Sequence, residues 1–381
     1  MPSFPAPRLP LHSRLVFLGD SITAGSNGPS FANYALNATG GRYYVPPSGN
    51  QGIGGSTTLD FLKRSLTTNG NLAKALSLNP KVLHVMGGTN DIGGLSATAA
   101  DVQGRLRQIY DAALNSGARV VASTITKRID VNWNAAREAV RVAVNAWILA
   151  QPDISTVDLD ATPFDPPLHT NEGLHPNRLG ASIIGTAIGP ALAAQIDIAS
   201  TLYVTPSDGG NMHLNADLAG TTGTFVGGGI GQVATGWTLE TNVTGLTITA
   251  SKEVVDGFNQ QRIDVTGTAA TTGAVNFRRD MAYTGAIGDV FDRWAYVDLS
   301  NVAGAGVRAF QTSADGVLSW DKGPGVSPAV PFAGVVRNFA AALTAVRTSS
   351  RSQFSLNVVA GPVQWTLRVR QPTWRRVPAG Q

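Results

Sequence analysis

One short stretch near the start constrains this chain more than any other: Leu15-Val16-Phe17-Leu18 running directly into Gly19-Asp20-Ser21. Four consecutive apolar residues followed by a Gly-marked break have the length and composition of a buried strand that ends in a tight turn. A strand buried on both faces belongs to a parallel sheet covered by helices. In such sheets, ligands bind beyond the carboxyl ends of the strands. Ser21 stands at that end, and a serine there reads as a nucleophile.

The next stretches repeat the pattern. Val82-Leu83-His84-Val85-Met86 is a second apolar run, ending in Gly87-Gly88, and Val120 to Ile125 and Ser155 to Leu159 are two more. Between them lie helical segments at Ser30 to Ala38, Thr57 to Leu66, Asn71 to Leu78, Thr98 to Asn115 and Asn134 to Ala150, with a last helix at Asn177 to Ala194. A further short strand is expected at Tyr43 to Val45. Strands alternating with helices indicate an α/β fold, a three-layer α/β/α sandwich around a central parallel sheet.

Near Ala199-Ser200 the pattern changes, which divides the chain into residues 1–199 and 200–381. Short alternating runs take over, among them Leu246 to Thr249, Arg262 to Val265, Arg293 to Leu299, Phe354 to Val358 and Trp365 to Val369. Gly-, Thr- and Asn-rich turns separate them, the signature of an all-β sandwich. At 381 residues, two domains are expected.

A serine hydroxyl needs a base. Of five histidines, His12 lies in a Pro-rich leader, His84 inside an apolar strand and His213 in the β half. His169 is the weaker of the remaining two. His175 sits in Asn171-Glu172-Gly173-Leu174-His175-Pro176, a polar turn just before the last α/β helix, with Glu172 three residues upstream. A carboxylate so placed fixes the imidazole tautomer and stabilises the imidazolium. Acyl transfer also needs donors aimed at the developing oxyanion. Gly52-Ile53-Gly54-Gly55-Ser56 offers glycine N–H groups, and Gly87-Gly88-Thr89-Asn90-Asp91 offers an amide side chain.

These four blocks, in this order, resemble the SGNH hydrolases, also called GDSL esterases and lipases, over residues of about 14 to 194. The resemblance implies Ser21 as nucleophile and His175 as general base and acid. It implies an oxyanion hole made by the N–H groups of Ser21 and Gly55, with Gly54 as the neighbouring alternative, and by the Asn90 amide. The family carries Asp three residues before its His, whereas this chain has Glu172, one methylene longer. Either Glu172 orients His175 or the pair works as a dyad. The sequence is not the α/β-hydrolase elbow, because position 23 is Thr and not Gly. No metal or cofactor is implied.

The β half loosely resembles carbohydrate-binding jelly rolls, from Asn215 to Gly236-Trp237. Trp237, Trp294 and Trp365 read as core, and Trp320, in a Ser-Trp-Asp-Lys-Gly-Pro turn, is the candidate sugar platform. An oligomerising module is the alternative. Charged residues make up only 14% of the chain and the net charge is +4. The arginines beyond Lys322 alternate with apolar residues and read as a solvated strand face, so a nucleic-acid partner is not expected. No stretch has the length of a membrane span, no secretory h-region is expected in the sequence as given, and without cysteine there is no redox information. The functional expectation is a serine esterase, foremost a carbohydrate O-acetyl esterase acting on an acetylated polymer. A broad short-chain or aryl esterase is the alternative. From another class comes a glycan-adhesion or virion-type structural protein, used outside the cell or on a virion, whose esterase fold is incidental.

Overall fold

The computed structural model describes residues 13–26, 28–196, 211–314, 318–319, 329–337 and 340–377. The expected boundary at Ala199-Ser200, His12 and Trp320 lie outside the described residues. The chain divides into two compact units, one spanning Leu11–Ser200 and the other carrying the described residues from 211 onward.

The first unit is built on five parallel strands: β1 (Leu15–Gly19), β2 (Asn50–Gly52), β3 (Val82–Met86), β4 (Arg119–Ser123) and β5 (Ser155–Val157), in the order β2-β1-β3-β4-β5. Every residue of β1 and β3 is buried, as their unbroken apolar runs require. The helices are α1 (Ser21–Ala24), α2 (Phe31–Ala38), α3 (Thr58–Phe61), α4 (Leu72–Ser77), α5 (Thr89–Leu95), α6 (Ala99–Asn115), α7 (Ala135–Leu149), α8 (Pro166–His169) and α9 (Arg178–Ala193). Leu18, Leu83 and Val85 meet Val102, Leu106 and Ile109 of α6 and Val144 and Ile148 of α7 in one core. On the other face, Phe17 and His84 pack against Phe31 of α2. Polar caps start the helices: Ser30, Asn134 and Asn177 each accept a first-turn N–H, and Thr98 with Asp101 forms a capping box.

Two expectations fail locally. The strand paired with β1 is Asn50–Gly52, not Tyr43 to Val45, where Tyr44 makes a single bridge to Arg14. The helix expected over Thr57 to Leu66 stops at Phe61, because only its first turn carries a capping box and Ser65 to Gly70 is turn-forming.

Helices α2 and α9 touch through glycine. A Cβ on Gly185 would stand 2.4 Å from the Phe31 carbonyl oxygen and 2.6 Å from Tyr34 Cβ, and one on Gly189 would stand 2.3 Å from Ala38 Cβ. Helix α2 follows the Ser21 turn and α9 follows the His175 turn, so this contact sets the spacing of the two. No helix among the described residues is long and apolar enough to cross a membrane.

The second unit contains β6 (Thr222–Val226), β7 (Ile230–Gly231), β8 (Val233–Thr241), β9 (Leu246–Val255), β10 (Phe258–Ala269), β11 (Gly273–Gly285), β12 (Val290–Ala303), β13 (Val307–Ala314), β14 (Leu318–Ser319), β15 (Phe332–Arg337), β16 (Ala341–Ala342), β17 (Arg347–Val358) and β18 (Gly361–Val377). They form two sheets, ordered β15-β12-β18-β10-β9-β7 (with β16 on β12) and β14-β13-β17-β11-β8-β6. Trp237 is fully buried and stacks on Phe277 at 4.5 Å, and Trp294, Trp365 and Trp374 are buried too. The reading of the late arginines as a solvated face holds only in part. Arg337 is buried and donates to the buried Asp292 at 3.0 Å, and Arg375 is also buried. The β12–β15 pairing brings that carboxylate alongside, a proximity that sequence order hides.

The α2–α9 contact makes a prediction. Gly185→Val should lower stability by about 1–3 kcal/mol, the usual cost of overpacking, read as a fall in Tm. An unchanged Tm would mean that the helices can separate without cost.

Candidate active site

Strand β1 lies between β2 and β3, so the chain leaves it first to one side and then returns to the other. The carboxyl end of β1 is therefore the topological switch point, where a crevice opens. Ser21 stands there as the first residue of α1. Asp20 caps that helix, its Oδ1 accepting the Ile22 N–H at 2.9 Å. Burial pushes the Asp20 carboxyl up to about 6, against the opposing pull of the Ile22 N–H and the charge of His175.

His175 reaches the same point from the far end of the unit. Its Nε2 is 2.9 Å from Ser21 Oγ. Its Nδ1 is hydrogen-bonded to Glu172 Oε1, which also accepts the His175 backbone N–H at 3.3 Å. The turn is closed by a bridge between Thr170 and Pro176, with the Asn171 N–H on the His175 carbonyl at 2.9 Å. It is anchored from outside by the Ile129 N–H, which donates to the Gly173 carbonyl at 2.8 Å. Gly28 backs directly onto this turn: a Cβ there would stand 2.3 Å from the Pro176 carbonyl oxygen. The other described histidines are occupied elsewhere, His213 with Ser352 Oγ at 3.1 Å. His169 Nδ1 accepts the Asp165 N–H at 2.7 Å. His84 is fully buried, pairs with Ser123 Oγ at 2.8 Å and is pushed down to about 3 by burial, so it is neutral.

The two glycine-rich blocks meet beside Ser21. The loop after β2 is held against β1 by the Ile53 N–H, which donates to the Gly19 carbonyl at 3.2 Å, and by Asn50, whose Nδ2 donates to the Thr23 carbonyl at 2.9 Å. Gly55 takes φ +76°, and nothing lies within 4 Å of where its Cβ would be. Asn90, in the first turn of α5, donates one Nδ2 hydrogen to the Ser56 carbonyl at 2.9 Å. That bond orients the amide and leaves its second hydrogen for a ligand.

Sequence reasoning missed the groups that hold these blocks together. Asp91 is fully buried and accepts from the Thr58 N–H at 2.8 Å and the Thr58 hydroxyl at 2.6 Å, while Arg105 donates to it at 3.0 Å. Arg128 is buried behind Asn90. It donates to Thr89 Oγ1 at 3.0 Å, grips Asp130 with two nitrogens at 2.6 and 2.9 Å, and lies 4.6 Å from the Trp133 ring centre. No local pattern marked either: Thr58 is 33 residues from Asp91, and Thr89 is 39 from Arg128. Among the described residues no three His, Asp or Glu side chains converge as metal ligands.

Residues 17–183 match the model of the GDSL-like Lipase/Acylhydrolase family. No curated protein matches the chain. Similar solved structures include an acetyl esterase (20% identity over 48% of this chain and 96% of that one, TM-score 0.39). A carbohydrate esterase family 3 protein from Talaromyces cellulolyticus shares 21% identity over 48% of this chain and 99% of that one, TM-score 0.39. A GDSL-like lipase from Bacteroides thetaiotaomicron shares 19% identity over 50% of this chain and 93% of that one, TM-score 0.39.

The state of Asp20 makes a prediction. A carboxyl raised from 3.8 to about 6 keeps its full contribution to stability below pH 3.8 and loses it as pH rises through 6. A shift of about two pK units corresponds to about 3 kcal/mol. Asp20→Asn keeps the cap acceptor and does not titrate. It should therefore raise Tm relative to the parent more at pH 8 than at pH 4, and an equal effect at both would show that Asp20 titrates normally.

Proposed function

Residues 17–183 form a domain of the GDSL-like lipase/acylhydrolase family, a carboxylic ester hydrolase, and from that premise we propose that the protein is a serine esterase that removes acetyl groups from carbohydrate hydroxyls. The observation that carries the mechanism is the continuous hydrogen-bonded series Glu172–His175–Ser21.

In this reading Ser21 Oγ attacks the ester carbonyl carbon while its proton passes to His175 Nε2. Glu172 holds Nδ1–H and so keeps Nε2 as the base. The carbonyl oxygen becomes an oxyanion and accepts from the backbone N–H groups of Ser21 and Gly55 and from the free Asn90 amide hydrogen. Collapse of the intermediate expels the alcohol, which takes the proton from His175. Water then repeats the sequence on the acyl-enzyme, releasing the acid and restoring Ser21.

A small acyl group is favoured by the connections around the crevice. Beyond β1 the chain enters α1 at once, and beyond β3 only Gly87 and Gly88 precede α5. These strand ends carry no folded insertion to enclose a long chain. The appended β-rich unit favours a polymeric alcohol. A second reading, simple aryl or short-chain esters, is favoured by apolar side chains on loops of the crevice end: Ile53 and Ile129 are 42% and 57% exposed.

Ser21→Ala should lower hydrolysis of 4-nitrophenyl acetate by about 10⁴-fold or more with an unchanged melting curve. Retained turnover would remove Ser21 from the mechanism, and a chain with no hydrolysis at all would favour the structural-protein alternative. Release of acetate from acetylated xylan separates the two substrate readings, since small-ester turnover without any polymer release favours aryl or simple esters. Glu172→Gln should cost about 10²-fold in kcat through the wrong imidazole tautomer. A loss under threefold would leave Ser21 and His175 working as a dyad.

A further inference from the structure

The second unit carries an open cleft of about 510 Å³ whose walls include Glu253, Gln260, Tyr296, Asp298, Arg368 and Arg370. That volume is within the range of small-ligand sites. The cleft lies on one face of the sheet formed by β12, β18, β10 and β9. Strand register sets its side chains in rows across the four strands. One row is Tyr296, Arg370, Gln260 and Glu253, and the next is Asp298, Arg368, Arg262 and Ser251. The alternate residues of the same strands, among them Val297, Leu367, Val369 and Ile263, are buried, so the polar rows are the outward face.

These side chains are locked to one another. Arg368 donates to Glu253 at 3.3 Å, to Asp298 at 3.2 Å and to Ser300 at 3.1 Å. Gln260 donates to Glu253 at 2.7 Å, and Arg262 grips Asp264 at 2.8 and 3.1 Å. The Arg370 guanidinium lies 4.0 Å from the Tyr296 ring centre. Desolvation works to raise the Glu253 carboxyl, but Gln260 and the arginines outweigh it and hold it below its ordinary value, so it remains an ionised acceptor.

The geometry points to a binding site for a neutral polyhydroxylated ligand, a segment of an uncharged glycan, on this face around Arg368. Three features carry this. A sugar hydroxyl both donates and accepts, and the rows offer carboxylate acceptors beside guanidinium and amide donors at adjacent strand positions. The planar side chains are already fixed in their network, so a ligand need not immobilise them. Each arginine of the face is paired with a carboxylate, Arg262 with Asp264, Arg368 with Asp298 and Glu253, and Arg370 with Asp256, so the face has no field to concentrate a polyanion. The inference does not depend on the esterase reading, since it concerns a different unit of the chain.

Affinity electrophoresis of the full chain tests it, in gels containing arabinoxylan, galactomannan or β-1,3-glucan, with heparin as the anionic control. At least one neutral polymer should retard the chain, equally at 0.05 and 0.3 M NaCl. Arg368→Gln should weaken that binding by about tenfold or more, the equivalent of one charge-assisted hydrogen bond, with hydrolysis of 4-nitrophenyl acetate unchanged. Asp298→Asn preserves side-chain shape and should act in the same direction, so the test survives if Arg368→Gln melts early. The proposal is overturned if no neutral polymer retards the chain, if a folded Asp298→Asn variant binds like the parent, or if heparin alone binds and is released by salt. Failure here with Ser21-dependent hydrolysis intact would leave the esterase reading standing, and the reverse result would leave this one.

Discussion

The candidate site depends on a contact that involves none of its reacting groups. Ser21 and His175 are 154 residues apart, yet Oγ and Nε2 stand at hydrogen-bond distance. Ser21 opens α1, the element just ahead of α2 in the chain, and the His175 turn leads into α9; α2 and α9 meet where Gly185 and Gly189 leave no room for a side chain. A second close approach, Gly28 against the Pro176 carbonyl, joins the turns themselves. Proteins pack densely, and small added groups are felt as displacement. A hydrogen bond weakens quickly once stretched beyond its range. Backbone closeness at these glycines is therefore how the fold brings two remote turns within reach of one proton.

The donors on the opposite side of the crevice are fixed by other means. Asp91 and Arg128 are buried charges that are satisfied by neighbours: Asp91 by Thr58 and Arg105, Arg128 by Asp130 and Thr89. Removing one partner of such a pair leaves an uncompensated charge in a dry place, which is far costlier than the pair itself is stabilising. The chain has few charges, and several of them sit behind Asn90 and the Gly55 loop. An oxyanion hole works because its donors are already in place when charge develops. On the proposed mechanism, the buried and partnered Asp91 and Arg128 would hold the Asn90 and Gly55 donors there.

What was legible in the sequence followed burial and local chemistry. Strands β1 and β3 are unbroken apolar runs, and Thr98, Asn134 and Asn177 announce their helices by their caps. The four blocks announced Ser21, Gly55, Asn90 and His175, and the structure gathers their loops at one end of the sheet. Strand β2 was invisible because Asn50-Gln51-Gly52 has no strand composition. It is a strand because β1 presents free backbone groups and Asn50 ties the turn back to Thr23. Asp292 with Arg337, and the polar rows around Arg368, depend on which strands become neighbours, and no local pattern encodes that pairing. The role of Arg128 was hidden for the same reason, since Thr89 is 39 residues away.

The substitution of Glu for Asp before the histidine fits the turn it occupies. Between Glu172 and His175 the chain turns through Gly173 and Leu174, and the longer side chain folds back so that one oxygen meets both Nδ1 and the His175 backbone N–H. The Glu172 side chain is nonetheless 44% exposed, while that of His175 is 15% exposed. Water screens a charge in that position, so its electrostatic support for the imidazolium is weaker than that of a buried carboxylate. Orientation does not weaken in the same way, because a hydrogen bond fixes the tautomer whether or not water surrounds the far oxygen. On the proposed mechanism, Glu172 would therefore act chiefly by aiming His175. Asp20, next to Ser21 in the chain, is buried, and the charge of His175 opposes the rise that burial gives its carboxyl. The series from Glu172 to Ser21 is therefore asymmetric, with its orienting end in solvent and its reacting end within the protein.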